Sequence, residues 1–344
     1  MRETNILLTA VGRRAYLVDY FKDALKGRGG KVYAVNCIGG TPGAMAADGF
    51  EIVPKSADPH YVDVLVDLCR RWRIALLFSL HDWDAPVIAR SRRRFLEVDT
   101  VPVMGDAAIV AACLDKYATV TSMAGIGVRT PWTTLSLDEA KGRMREQGGP
   151  MVVKPRWGQG SVGLFKVYSE AELEWAFNLS AAMARRFAAA CPEIDARAPQ
   201  VIVQEFVPGD EYGCDVVNGL DGGYRRAFVK RKFGMRAGET DAAESVDRPP
   251  IVAAAEKIGR WSRHLGCMDS DWIVGADGVP ILIELNPRFG GGYPFTHLAG
   301  ANVVRACVDW ANGKDDMSWC VGYRTGVKIS KEIGLRIYGD ACNT

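Results

Sequence analysis

The chain has 344 residues, 48% of them hydrophobic and 24% charged, with a formal net charge of +2. This is ordinary globular composition and enough length for two or three domains. So even a balance gives no global field for nucleic acid or an anionic membrane, and no apolar run approaches the ~20 residues of a membrane span. Nine scattered cysteines without a CxxC pair, and only four histidines, argue against a disulfide framework, a zinc site or a His-rich metal centre. Reduced, mostly buried thiols in a cytoplasmic protein are expected instead.

In chain order, residues 5–11 (NILLTAV) read as a buried strand rather than a signal peptide, because no basic segment precedes a longer apolar one. Gly12-Arg13-Arg14 follows, then a helix with apolar residues at helical spacing and a Gly stop. KVYAVNC and FEIVPKS read as strands, 59–73 as a helix, and IALLFSLHDWD as a strand running into a polar loop. Arg92-Arg93-Arg94 reads as a solvated helix face. Alternating strands and helices predict a parallel, doubly wound sheet for about residues 1–105. Ligands sit at the carboxyl ends of such strands, so Arg13 or Arg14, and His81 with Asp82, are candidate substrate contacts.

Residues 106–125 read as one helix and 137–148 as another. The segment 149–169 reads as strand, Gly-rich loop, strand, and 170–190 as a helix. PQVIVQEFVPGDEYGCDVVNG gives two strands and YRRAFVKRKF a further one. FGMRAGETDAAESVD reads as a mobile polar loop and 249–266 as a helix. CMDSDWIVGADGVPILIELNPRFGGG is a hairpin turning at Ala276-Asp277-Gly278, and a last helix covers 296–312.

Three segments carry chemistry. Lys154 ends an apolar strand, and Gly158, Gly160 and Gly163 surround Ser161. Glycines let backbone N–H groups approach phosphate oxygens, and a strand-borne lysine adds a point charge. The spacing is neither GxxxxGK[ST] nor GxGxxG, and the flanking strands make the loop a hairpin flap. In IVQEFVPGDEYGCDV, Glu205 or Glu211 can accept hydrogen bonds from an adenine amino group or a ribose hydroxyl, beside a short apolar stretch. On the last hairpin, Glu284 and Asn286 lie two apart and share a face, with Asp271 on the partner strand. Two carboxylates and an amide oxygen make a hard-cation site suited to Mg²⁺ on triphosphate oxygens. Arg288 follows, placed to stabilise a phosphoryl group in transfer.

The ordered set LDKYAT, VVKPRWGQGSVG, VQEFVPGDEY and DSDWIVGADGVPILIELNPRFGGG resembles the ATP-grasp superfamily. It is nearest the branch with carbamoyl-phosphate-synthase-like and pyrrolysine-biosynthesis-like ligases. The resemblance covers about residues 106–312. It implies an α/β protein in which an N-terminal Rossmann-like domain (1–105) precedes a two-lobed ATP-grasp domain (106–344). The lid would span about 126–203 and the catalytic lobe about 204–344. By this resemblance Lys116 and Lys154 contact the ATP phosphates, and the loop from Gly158 to Gly163 closes over them. Glu205, with the backbone of Phe206 and Val207, holds adenine, and Glu211 the ribose. Asp271, Glu284 and Asn286 hold Mg²⁺, with Mn²⁺ as an alternative; Asp271 departs in type from the Glu or Gln of related enzymes. Arg288 stabilises the transferring phosphate. One or two of Lys230, Arg231, Lys232 and Arg236 bind the γ-phosphate or the substrate carboxylate.

The implied activity is ATP-dependent joining of a small polar or amino-acid carboxylate to an amine through an acyl phosphate. Specificity would come from the N-terminal loops and from the loop containing Gly291. The 234–247 loop is a candidate lid, and Asp82 and Glu239 are candidate bases. The partners are ATP and the two small substrates, in a chain expected to form a homodimer. A phosphotransferase and a non-catalytic nucleotide-binding protein are the competing readings.

Overall fold

The computed structural model describes residues 3–335 except 192, 193 and 237. The N-terminal unit contains β1 (Asn5–Thr9), α1 (Ala15–Leu25), β2 (Val32–Asn36), α2 (Pro42–Ala46), β3 (Gly49–Ile52), α3 (Tyr61–Arg71), β4 (Ile74–Ser79), α4 (Ala85–Arg90), α5 (Arg92–Leu96) and β5 (Val101–Pro102). Its sheet has the order β3-β2-β1-β4-β5, and β1 pairs in parallel with both β2 and β4. The apolar run of β1 is buried throughout, as a central parallel strand covered on both faces requires.

Two helices follow, α6 (Ala107–Leu114) and α7 (Lys116–Gly125), where one was expected. Asp115 separates them. It leaves helical dihedrals (φ −90°, ψ 104°) and its carboxylate caps α7 through the N–H groups of Tyr117 and Ala118.

The lid comprises β6 (Thr133–Thr134), α8 (Leu137–Gln147), β7 (Met151–Pro155), β8 (Phe165–Val167), α9 (Glu170–Ala190) and β9 (Val201–Glu205). Its antiparallel sheet, β6-β9-β7-β8, buries Val153, Leu173, Ala176 and Val203 in a core of its own.

The C-terminal lobe is built on β10 (Asp210–Asn218), β11 (Tyr224–Arg236), β12 (Glu239–Val246), α10 (Pro249–Ser262), β13 (Gly266–Val274), β14 (Pro280–Asn286), α11 (Tyr293–Leu298), α12 (Val303–Ala311) and β15 (Lys328–Ser330). The sheet order is β14-β13-β10-β11-β12-β15. Strand alternation gives it two unlike faces. Tyr212, Cys214, Val216, Val229, Met268 and Trp272 bury one face against Ile251, Ala255 and Ile258 of α10. On the other, Val217, Phe228 and Cys267 join a core with Phe21 of α1, Phe289 and Tyr293. Further along, that same face turns charged: Asp215, Lys230, Lys232, Asp269 and Asp271.

Two further expectations are corrected. The segment read as a mobile loop after Phe233 is mostly strand: β11 runs on to Arg236 and β12 begins at Glu239. Thr240, Ala243 and Ser245 are buried, with a register shift between the first two, so small side chains do what bulky ones usually signal. The single helix expected over 296–312 is two, separated where Gly300 adopts φ +109° and a Cβ would lie 2.1 Å from the Gly322 carbonyl oxygen. The eight cysteines among the described residues are free, and all but Cys37 are buried; Cys342 lies outside the described residues. No helix among them is long and apolar enough to cross a membrane.

Candidate active site

The charged face of the C-terminal sheet forms the floor of a cleft, and the Gly-rich loop between β7 and β8 forms its roof. Lys116, Lys154, the loop from Gly158 to Val162, Glu211, Lys232, Asp271 and Glu284 line it together. The Asp115 cap fixes Lys116 at the first turn of α7. Asp115 is itself gripped by Arg156 at the base of the flap, at 2.7 and 2.6 Å. Lys116 Nζ then reaches Glu284 Oε1 at 2.9 Å and donates to the Gly158 carbonyl at 2.9 Å. Lys154 ends the lid strand β7 and is buried. Burial, and then the charge of Lys116, lower its pKa to about 8, against the opposing pull of Glu284 and Asp271.

The pairing of β13 with β14 sets Asp271 opposite Glu284 and Asp269 opposite Asn286, all on the cleft face. Lys232 Nζ donates to Asp271 Oδ1 at 2.5 Å. Each carboxylate thus carries a lysine. Among the described residues no three His, Cys, Asp or Glu side chains form a self-sufficient cage. Two carboxylates and the Asn286 amide are a partial, all-oxygen shell, the kind Mg²⁺ completes with phosphate oxygens. The donor set therefore fits the expected metal.

Arg288, just beyond β14, makes a two-pronged ion pair with Asp82, at 2.7 and 2.9 Å, and touches Asn286 Oδ1 at 3.3 Å. Burial alone would raise the Asp82 pKa, but Arg288 reverses this and holds the carboxyl below its ordinary value. Asp82 thus fixes the Arg288 guanidinium through both carboxylate oxygens. Its loop is anchored by Asp84, whose buried carboxylate accepts from Thr9, from Ser79 at 2.6 Å and from Tyr61 at 3.2 Å. His81 lies 3.0 Å from the side-chain amide of Gln159 in the flap, so the same loop touches the roof.

The remaining predicted residues fall into distinct places. Lys230 does not line the nucleotide cleft. It is buried beneath the 290–292 loop, 2.6 Å from Asp215 and 3.4 Å from Thr296. Burial pulls its pKa down but Asp215 outweighs that, so the ammonium is held charged. Arg231, one residue on, points to the opposite face, where it is exposed and pairs with Asp210 at 3.1 Å. Arg236 pairs across the β11–β12 hairpin with Asp241 at 2.6 Å. The carboxylate of Glu205 is engaged by the Trp132 N–H at 3.0 Å and by Arg143 at 2.9 Å. Phe206 carries Lys166 3.4 Å above its ring. With Val207 these residues stand where the lid joins the lobe and do not line the cleft described above. Arg13 is exposed, 3.8 Å from Glu239. Its neighbour Arg14 turns inward instead and donates to the Phe289 carbonyl at 2.8 Å. A Cβ at Gly291 would lie 3.7 Å from the Glu239 carboxylate.

Sequence reasoning passed over Asp115, Arg156, Asp215 and Asp269. Asp115 was findable as an N-cap before a helical run, and Asp269 by alternation with Asp271. Burial, then Asp271, push the Asp269 carboxyl up to about 7. Gly290 lies flat on it: a Cβ there would be 2.3 Å from the Asp269 carboxyl carbon.

Comparison with known proteins agrees with this architecture. Residues 6–104 match the PylC-like N-terminal domain, 147–237 an ATP-grasp domain, and 197–332 the ATP-grasp of a biosynthetic pathway with the Ter operon. The D-alanine–D-alanine ligase of Delftia acidovorans is 26% identical over 219 residues, covering 57% of this chain and 61% of that protein. The chain thus spans about three fifths of the length of such relatives. The biotin carboxylase domain dimer of Hydrogenobacter thermophilus 2-oxoglutarate carboxylase, solved with MgADP, superposes with a TM-score of 0.76 at 17% identity, covering 94% of this chain and 73% of that one. The L-amino acid ligase of Bacillus licheniformis gives a TM-score of 0.69 at 18% identity, covering 94% and 78%. The three matched segments, in this order, give the chain an ATP-grasp region over residues 147–332 preceded by a PylC-like N-terminal domain.

Proposed function

We propose that the chain is an ADP-forming carboxylate–amine ligase that works through an acyl phosphate. The observation that carries this is the convergence of three lysines on two facing carboxylates beneath a glycine flap: Lys116, Lys154 and Lys232 with Asp271 and Glu284. Such a site neutralises a triphosphate and positions its terminal phosphoryl group. A carboxylate is a poor electrophile. Its oxygen attacks the γ-phosphorus, ADP departs, and the acyl phosphate then accepts an amine, releasing phosphate and one proton.

In this reading the lysines exchange their carboxylate partners for phosphate oxygens when nucleotide binds. Asp271, Glu284 and Asn286 are then free to hold Mg²⁺, which when bound neutralises triphosphate charge. Arg288, fixed by Asp82, presents its remaining N–H groups beside Asn286 for the transferring group. The flap touches Lys116, His81 and the hairpin residue Gly238, contacts that serve to exclude water from the acyl phosphate. A homodimer is the proposed oligomeric state, as in the biotin carboxylase domain dimer that the chain resembles in fold.

The test is ADP and phosphate release from MgATP with a carboxylate library, with and without amines, products being read by mass spectrometry. A condensed product lighter by one water supports the ligase. A stable phosphorylated acid would favour a phosphotransferase, and no turnover with any pair would sink both.

A further inference from the structure

Beside the nucleotide cleft lies a second cavity, with about 730 Å³ of space between atoms, part of it open to solvent. That size falls within the roughly 300–1,000 Å³ of small-molecule sites. The two hollows share Gly158 and Gln159 of the flap and Glu284 of β14, so they meet where the flap lies over that strand. Three elements wall the second one. The loop after β4 and the start of α4 bring Trp83 and Pro86, α6 brings Ala107, Ala111 and Leu114, and the base of the flap brings Trp157. The three α6 residues recur at intervals of four and three, which puts them on one helix face. Two alanines on that face leave space that larger residues would fill. Both indoles are held in place. The Trp83 backbone N–H donates to His81 Nδ1 at 3.3 Å, and the two rings meet edge to face with centroids 5.2 Å apart. The Arg156 guanidinium, paired with Asp115, covers the Trp157 ring at 4.4 Å. Of the charged groups at the border, Asp82 holds Arg288 with both oxygens, Glu284 pairs with Lys116 at 2.9 Å, and Arg90 is exposed. The walls are thus aromatic and aliphatic, and a polar group set against them would lose water without gaining a partner.

We propose that this cavity seats a bulky apolar group of the carboxylate substrate, an aryl or branched alkyl chain carried by a simple acid or by an amino acid. This rests on the ligase reading and gives the class of acid it takes. Continuity of the two hollows supports it. Glu284 and Asn286 border the cavity, and Arg288 touches Asn286 Oδ1 at 3.3 Å. An acid with its apolar group against Trp83 and Trp157 can bring its carboxylate to this border, where the proposed function puts the γ-phosphate. The acid is the reactant that meets the γ-phosphate first, so the cavity is assigned to it and not to the amine.

The experiment uses the full chain, MgATP and a fixed amine pool, and reads ADP release and condensed product. Acids are offered in pairs of equal length, phenyl- or branched-alkyl-ended against carboxamide- or hydroxyl-ended. The apolar member should be preferred in kcat/KM by about 30-fold, and straight-chain acids should gain about fourfold per added methylene until the cavity is full. Ala111→Phe fills the cavity from an exposed helix position. It should raise the KM for the phenyl acid by about 30-fold and that for acetate by less than about threefold, inverting the order of acids. Trp83→Leu, which shortens another wall but keeps it apolar, should lower the preference for phenyl acids severalfold. Preference for polar-ended acids, no gain along the straight-chain series, or an unchanged order of acids in both Ala111→Phe and Trp83→Leu would overturn the assignment while leaving the ligase intact. So would an apolar preference confined to the amine. Failure of the wild-type chain to release ADP with any pair would instead overturn the ligase reading, and this assignment with it.

Discussion

The N-terminal unit and the lid meet the C-terminal lobe in opposite ways. The N-terminal unit shares a core with it: Ile6, Leu8, Val18 and Phe21 pack continuously with Val217, Phe228, Cys267, Phe289 and Val303. The lid keeps its own core, around Met151, Val153, Leu173 and Val203. It reaches the other side of the cleft through polar or backbone contacts: Lys116 with Gly158, His81 with Gln159, and Gly238 against Gly160. Apolar burial is lost if two surfaces separate, whereas polar contacts can be exchanged for water or phosphate at little net cost. The first joint is thus a continuous apolar core, and at the roof of the cleft the second is polar. The cleft under the Gly-rich loop lies at the second joint.

The contrast can be broken most severely at the cleft. Glu284→Gln keeps shape but removes the partner of Lys116, a carboxylate that the proposed function assigns to Mg²⁺. ADP release is expected to fall on the order of 10³-fold, with a raised Mg²⁺ requirement and a nearly unchanged unfolding midpoint. Activity within tenfold of wild type would remove Glu284 from the metal site.

Next come the two cores. Phe21→Ala, in the shared core, should cost about 3–5 kcal/mol of global stability. Leu173→Ala, in the lid core, should cost about 2–5 kcal/mol, but in local opening. Hydrogen exchange would then quicken in β7, β8 and α9 while the N-terminal sheet keeps its protection. If Leu173→Ala accelerated exchange everywhere, the lid would not be a separate unit.

How much of this was legible depended on what each residue type signals. Runs such as NILLT and IALLFS announce buried parallel strands, and the whole N-terminal sheet follows from them. That Glu284, Asn286 and Asp271 share one face was legible because Glu284 and Asn286 are two apart on a strand whose partner carries Asp271. The β11–β12 hairpin was not, because Thr240, Ala243 and Ser245 are too small and polar to suggest a strand. Its order comes from pairing with β11 and β15, which no local pattern encodes. Arg13 and Arg14 could not be told apart from the sequence. Gly12, at φ +47°, sets the turn, and Arg14, as the residue before α1, is the one aimed inward. Lys230, Arg231 and Lys232 form a row of cations, yet each has a different fate because alternation and depth act together. Lys230 is sealed on Asp215, Arg231 faces away, and Lys232 reaches the cleft.

The mildest effect concerns Lys154, which the lid contributes to the cleft. Its pKa of about 8 without nucleotide reflects burial and the charge of Lys116. Triphosphate oxygens beside it favour the ammonium and raise that pKa, so nucleotide binding takes up a proton near pH 8. Affinity must then weaken as pH rises. The charged fraction falls from about three quarters at pH 7.5 to about one quarter at pH 8.5, so the ATP dissociation constant should rise about threefold. Titration calorimetry in buffers of differing ionisation heat would show the proton uptake directly. Stability of the nucleotide-free chain has the opposite slope. Between about pH 8 and the unfolded lysine value of about 10.4, the unfolded state holds more protons, so this group's contribution to stability rises with pH. Lys154→Met should abolish both trends. A dissociation constant flat from pH 7.5 to 8.5 would mean that Lys154 keeps its proton without phosphate, and that the lid brings a permanent charge to the cleft rather than one completed by the nucleotide.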